Sequence, residues 1–167
     1  MKNKKRVLFL CQAAVIASLY VALTALSSML GLSSGAIQCR FSEALCVLPY
    51  FTPAAIPGVT LGCLISNLTV AGVTNPFDII FGTLATLIGA VGTYLLRKVK
   101  IGKFLAPIPP IVSNALIIPF VLRYAYNLPD GLGFLIFTVG LGELISVGLL
   151  GGLLIPIFDR YKNKLFL

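Results

Sequence analysis

Five ionisable side chains, Arg40, Glu43, Asp78, Arg123 and Glu143, stand apart from the chain's basic clusters and fall at the ends of, or inside, long apolar runs. An ionisable group at membrane depth costs at least about 2–3 kcal/mol unless paired or hydrated, so each is a candidate functional group. Arg40 and Glu43 are three residues apart, share one helical face, and can pair with each other. Asp78 opens an apolar helix, where an acid binds a ligand or instead satisfies free N–H groups and the helix dipole. It keeps register with Gly82, Ala85 and Gly89, so it faces inward in either reading. Glu143 is the sharpest signal. It lies about eleven residues into the last apolar run, roughly 16 Å along a helix that rises 1.5 Å per residue. With no basic residue within a turn, it lines a polar cavity, meets Arg40 or Arg123 across the bundle, or carries a proton. Asn67 and Asn114 add amide donors and acceptors inside apolar runs, and Pro119 frees the carbonyl of Ala115.

Carboxylates and amides suit a small, planar, nitrogen-rich ligand with N–H donors, and Phe41, Tyr50, Phe77, Phe81, Tyr124 and Tyr126 offer faces to stack on it. The excess of acid favours a cationic amine over an anion. Other chemistries lack their residues. The chain has no histidine, and Cys11, Cys39, Cys46 and Cys63 show no CxxC spacing, so no standard zinc set exists. No phosphate-binding Gly-x-x-x-x-Gly-Lys-[Ser/Thr] loop occurs. No nucleophile–base pair is visible. The expectation is a non-enzyme without metal or cofactor. Asp130 lies in a Pro-Asp-Gly turn signal, Asp159 sits in a basic cluster it can neutralise, and Asn67-Leu-Thr69 lies in an apolar run unsuited to glycosylation.

Apolar elements must position these groups. Of 167 residues, 58% are hydrophobic and 11% charged, with mean hydropathy +1.01. A soluble domain is about 45–50% apolar and about 25% charged. The excess exceeds one buried core, so lipid bathes much of the surface; a soluble enzyme, a disulfide scaffold and a disordered chain are excluded. The net charge of +8 is concentrated in clusters at 2–6, 97–103 and 160–164. These clusters are short, far apart and free of interleaved aromatics, which argues against nucleic acid as a partner. Flanking apolar runs as they do, they mark cytoplasmic ends of membrane spans and can touch anionic lipid headgroups.

Run 44–72 decides the span count. It holds Pro49, Pro53 and Pro57, and proline disrupts a helix interior. If the run crosses twice, all three basic clusters lie on one side. The chain is therefore expected to be an all-α membrane protein, a single domain with six transmembrane helices at about 7–30, 41–51, 54–72, 78–97, 105–125 and 132–158, and both termini cytoplasmic. Loop 31–40 is the natural candidate for a lid. Small residues let helices approach closely in lipid. The first helix carries two such columns, Ala13/Ala17 with Ala25, and Ala14/Ser18/Ala22. The fourth carries Gly82, Ala85, Gly89 and Gly92, and the sixth Gly148 and Gly152. The fourth and sixth suit internal packing. The first has a face to spare for a partner protein.

The stretch Gln38-Cys39-Arg40-Phe41-Ser42-Glu43-Ala44-Leu45, followed by Leu48-Pro49 and Phe51-Thr52-Pro53-Ala54-Ala55-Ile56-Pro57-Gly58, resembles the QueT family. These are substrate-binding S components of energy-coupling factor transporters that take up queuosine precursors. Asp78-Ile-Ile-Phe-Gly82-Thr-Leu-Ala-Thr86 and Gly142-Glu143 match as well. The resemblance covers nearly the whole chain. It implies a six-helix S-component bundle with its ligand near the outer face. It also implies docking, through the Ala13/Ala17 region, on a transmembrane coupling protein with two ATPase subunits, and toppling of the S component during transport. The ligand class would be a 7-deazaguanine base, such as queuine or its aminomethyl precursor. With such a ligand, Glu143 or Glu43 is expected to face the guanidine-like edge, Asn67 and Asn114 the ring heteroatoms, and Arg40 to hold Glu43 or a ring carbonyl. An S component for a different vitamin or nucleobase, and a self-sufficient oligomeric channel or exporter, are the alternatives.

Overall fold

The computed structural model describes residues 2–32, 38–70 and 75–165, all in helices or short connections, with no strand among them. The centre of the expected lid, 33–37, lies outside the described residues. Helix α1 (Lys2–Met29) starts five residues earlier than expected, because Lys2–Arg6 contain nothing that breaks a helix. Residues Phe41–Tyr50 form a ten-residue 3-10 helix. Such helices rarely exceed a few residues. Here eight of the ten are buried, so the bundle itself supports the irregular backbone.

Helix α2 (Ala55–Thr69) is shorter than the expected 54–72 and tolerates Pro57 because it sits in the first turn, where N–H groups have no helical partner. Helix α3 (Pro76–Leu95) starts with Pro76 behind an Asn75 cap, whose side chain accepts from the Phe77 N–H at 3.0 Å. Asn75, and not Asp78, therefore supplies the cap. The expected helix 105–125 is α5 (Ile108–Tyr124), preceded by a short α4 (Gly102–Leu105). The last rod runs through α6 (Leu132–Glu143), a π-helical stretch Leu144–Gly151 and α7 (Gly152–Leu165). Among the described residues, four helices are long and apolar enough to cross a membrane: Asn3–Met29, Pro76–Lys98, Gly102–Tyr124 and Leu132–Lys162; α2 is a shorter apolar helix. Their outward faces are apolar, as at Val15, Leu84, Leu116 and Leu149.

The 3-10 helix sits at the centre of the bundle. Leu45, Cys46 and Leu48 pack with Ile16 and Tyr20 of α1 and Val59 and Cys63 of α2, while Val47 joins Val147 and Ile155 of the last rod. Small residues set the helix contacts. On α3, a methyl at Gly89 would lie 2.7 Å from Pro110 and one at Gly92 2.7 Å from Pro109, so this stripe packs internally against α5. On the last rod Gly142 and Gly151 are the tightest positions, Gly148 also packs internally, a methyl there falling 3.6 Å from Ile111 of α5, and Gly152 faces open space.

The Ala13/Ala17 column, expected to dock a partner, lies against α2. Both residues are buried, and their carbonyls lie 3.0 and 3.1 Å from where methyls at Gly58 and Gly62 of α2 would stand. The second column, Ala14, Ser18 and Ala22, is exposed.

Four contacts bring the basic clusters to one end of the bundle. Thr52 donates to Gln12 on α1 at 3.3 Å, Tyr50 lies beside Gly102, and Asp159 pairs with Lys103 at 3.5 Å and Lys162 at 3.0 Å.

Candidate functional site

Towards the opposite end, residues 38–40 run between α1 and the last rod. The Arg40 N–H donates to Ser146 Oγ at 3.2 Å and the Phe41 N–H to Ser27 Oγ at 2.8 Å; Thr24 Oγ1 donates to Ser42 Oγ at 2.8 Å. A methyl at Gly142 would overlap the Gln38 carbonyl, so this glycine lets the segment lie directly on α6. The segment's backbone thus fixes where the Arg40 and Glu43 side chains start.

Arg40 and Glu43 do not bond each other. Arg40 Nη1 donates to Asn67 Oδ1 at 3.2 Å. Asn67 is buried, and its amide rests on α3 where Gly82 leaves room: a methyl there would lie 3.1 Å from Nδ2. The amide also reaches Cys63 Sγ at 3.6 Å, and Thr86 Oγ1 donates to the same sulfur at 3.3 Å. Glu43, 4% exposed, accepts from the Tyr20 hydroxyl through Oε1 and from Cys46 Sγ at 3.2 Å through Oε2.

Glu143 and Asn114 approach from the other side. Helices α5 and α6 meet where Gly140 faces Ala115, a methyl on Gly140 falling 3.7 Å from the Ala115 Cβ. Next to this contact the Asn114 amide and the Glu143 carboxylate interact, and Glu143 is within electrostatic reach of Glu43 and Arg40. Arg40 in turn feels Tyr20, Cys63, Glu43 and Asp78. Among the described residues the buried Asn114 Nδ2 and Glu143 Oε2 have no partner within normal hydrogen-bond distance, and the closest company each keeps is the other. The arrangement places one guanidinium among carboxylates and amides.

Asp78 occupies the rim. Its Oδ2 accepts from the Tyr126 hydroxyl at 3.1 Å. Burial, and then the Asp78 carboxylate, push this phenol up to about 12, so it remains a neutral donor at physiological pH. Arg123 is turned away: Nη1 donates to the Leu128 carbonyl at 2.6 Å and the Asp130 carbonyl at 3.3 Å, securing the turn before α6. Of the two arginines considered for Glu143, only Arg40 is in its electrostatic surroundings.

The aromatic residues distribute differently from expectation. Tyr50 packs on Phe51 at the basic end. Phe77, Phe81 and Tyr124 line an apolar groove of about 480 Å³ between α3 and α5, which none of the six polar candidates lines. That groove faces outward, with Tyr124 71% exposed, so the polar cluster and the groove are separate features. Sequence reasoning did not single out Tyr20, Thr24, Ser27 or Ser146. The first three repeat at four and three residues, a polar stripe on α1 that a search for hydroxyls at helical spacing would reveal.

A family model described as QueT transporter matches residues 10–160. A curated protein of Lactococcus lactis subsp. cremoris (strain MG1363), named Queuosine precursor transporter QueT, is 39% identical over 89 residues, covering 52% of this chain and 50% of that protein. The chain thus spans about half the length of the curated relative it matches. No solved structure matches.

Proposed function

The chain belongs to the QueT transporter family, and from that premise we propose that it is the substrate-binding membrane subunit of an ATP-driven energy-coupling factor importer for a queuosine precursor, a 7-deazaguanine base such as queuine or its aminomethyl precursor. It is a multi-pass membrane protein. The observation that carries the reading is the convergence of Arg40, Glu43, Asn67, Asn114 and Glu143, drawn from distant parts of an apolar bundle. Asp78 completes the rim. Polar groups gathered at this depth are costly unless they serve a ligand. Their acid excess complements an aminomethyl cation, and a guanine-like edge supplies N–H donors to a carboxylate.

In this reading the bundle crosses six times with both termini cytoplasmic, the 3-10 helix and α2 being two short, recessed crossings. The gathering of all three basic clusters at one end supports it. The coupling protein, which carries two ATPase subunits, docks on the exposed Ala14/Ser18/Ala22 face of α1, since Ala13 and Ala17 are occupied by α2.

Titrating the purified protein with queuine, the aminomethyl precursor, guanine and riboflavin tests the ligand. Deazaguanines should bind tightest; binding of riboflavin alone overturns the assignment. Glu143→Gln should weaken binding by about 1–3 kcal/mol, the scale for a charge-assisted hydrogen bond. Unchanged affinity would remove Glu143 from the site. Ser18→Leu should leave ligand binding intact and abolish co-purification with the coupling protein and ATPases; a complex that survives would place docking elsewhere.

A further inference from the structure

We propose that Tyr20 is a positioning residue for the ligand site: its hydroxyl holds the Glu43 carboxylate where a ligand meets it, so the affinity that Glu43 contributes depends on Tyr20. The inference deepens the reading above and rests on Glu43 being part of the ligand site.

Tyr20 is itself firmly placed. It is 1% exposed and packs in one cluster with Ile16, Leu45, Cys46, Val59 and Cys63. Gly62 of α2 leaves it room, since a methyl there would stand 2.6 Å from the Tyr20 Cβ. A tyrosine has two side-chain torsions, so burying the ring fixes where the hydroxyl sits. The segment that carries Glu43 is held in register with it. Tyr20, Thr24 and Ser27 follow one another on one face of α1. They meet Glu43, Ser42 and Phe41 in that order: the Tyr20 hydroxyl donates to Glu43 Oε1, Thr24 Oγ1 donates to Ser42 Oγ at 2.8 Å, and Ser27 Oγ accepts from the Phe41 N–H at 2.8 Å. With three consecutive residues tied to α1, Glu43 cannot slide past Tyr20.

The kind of donor matters as much as its place. Arg40, three residues away, is the cation that a carboxylate would pair with, but it bonds Asn67 instead. Glu43 is held by a phenol at Oε1 and by the Cys46 thiol at Oε2. Neutral donors fix the direction of a carboxylate without cancelling its charge, whereas an ion pair does both. The thiol is a weak donor, so the phenol carries most of the hold. A loose glutamate would have to be ordered by the ligand at a cost in affinity. Tyr20 orders it beforehand and leaves its charge for a ligand bearing N–H groups or an ammonium.

The test is a double-mutant cycle on the full-length purified protein, titrated calorimetrically with the aminomethyl 7-deazaguanine. Tyr20→Phe keeps the buried ring and removes the hydroxyl; Glu43→Gln keeps the side chain's length and removes its charge. Each alone should raise Kd at least about tenfold, the scale of a hydrogen bond to a charged group. The double variant should bind within about twofold of Glu43→Gln alone, because Tyr20 acts through the carboxylate. A side chain that served only packing would leave Kd unchanged or add its loss in both backgrounds. Glu43→Asp, which keeps the charge but draws it one methylene back from the hydroxyl, serves if Tyr20→Phe is not recovered folded, and should also weaken binding at least about tenfold. Wild-type affinity in Tyr20→Phe, in Glu43→Gln or in Glu43→Asp, or losses that add in the double variant, overturns the positioning role while leaving the transporter reading intact. Failure of the wild type to bind the deazaguanine overturns both.

Discussion

Gly142→Ala will cost the protein at least about 2 kcal/mol of ligand affinity, roughly a thirtyfold rise in Kd, while leaving a folded bundle. The added methyl would occupy the place of the Gln38 carbonyl, a backbone atom with no flexible side chain to swing aside. Residues 38–40 must lift from α6. With them goes the Arg40 N–H, now bonded to Ser146, and the guanidinium that reaches Asn67. Alanine itself favours a helix over glycine by about 1 kcal/mol, so α6 is not the part that fails. Gly152→Ala is the control, because a methyl there meets nothing. Calorimetric titration of both variants with the aminomethyl deazaguanine reads the difference. Wild-type affinity in Gly142→Ala would show that the 38–40 segment takes no part in holding ligand.

Gly62→Leu will strike the fold itself. The first carbon of the new side chain would stand 2.6 Å from Tyr20 Cβ and 3.1 Å from the Ala17 carbonyl. Three further carbons have no room between α1 and α2. Overpacking costs about 1–3 kcal/mol where a core can shift, and here it acts against a helix backbone, so we expect a loss of about 3 kcal/mol. Tyr20 would leave Glu43 as α1 withdraws, so ligand binding should fail with stability. Thermal unfolding in detergent, beside Gly152→Leu as a surface control, measures the effect. Equal melting temperatures for the two variants would mean that α1 does not seat on α2 through Gly62.

The broad architecture was legible because lipid imposes it: long apolar runs must be helices, and clustered lysines and arginines mark their ends. Charge rarity made Glu43 and Glu143 visible for the same reason. What stayed hidden depended on rotation about helix axes. Ala13 and Ala14 are neighbours with equally small side chains, yet one is buried on α2 and the other exposed, and sequence spacing treats their columns alike. Gly148 and Gly152 keep ideal helical spacing, yet Gly148 packs against Ile111 of α5 while Gly152 faces open space, and the tightest contacts fall at Gly142 and Gly151. Tyr20 was missed because an aromatic in an apolar run reads as core; only its hydroxyl, aimed at Glu43, reveals the second role. Arg123 was over-read because its partners are loop carbonyls, which composition cannot show.

The hydrogen bond from the Arg40 N–H to Ser146 Oγ joins residues 106 positions apart. A ribosome adding about 5–20 residues per second needs roughly 5–20 s to cover that distance. Throughout that interval the nascent arginine segment has no final rod to lean on. Its polar atoms must wait in water, or in the shelter of the insertion machinery, until the last hydrophobic stretch arrives. A nonsense mutation between Arg123 and Glu143 would therefore leave a truncated chain whose cationic segment has no rod to lean on, a ready substrate for membrane quality-control proteases.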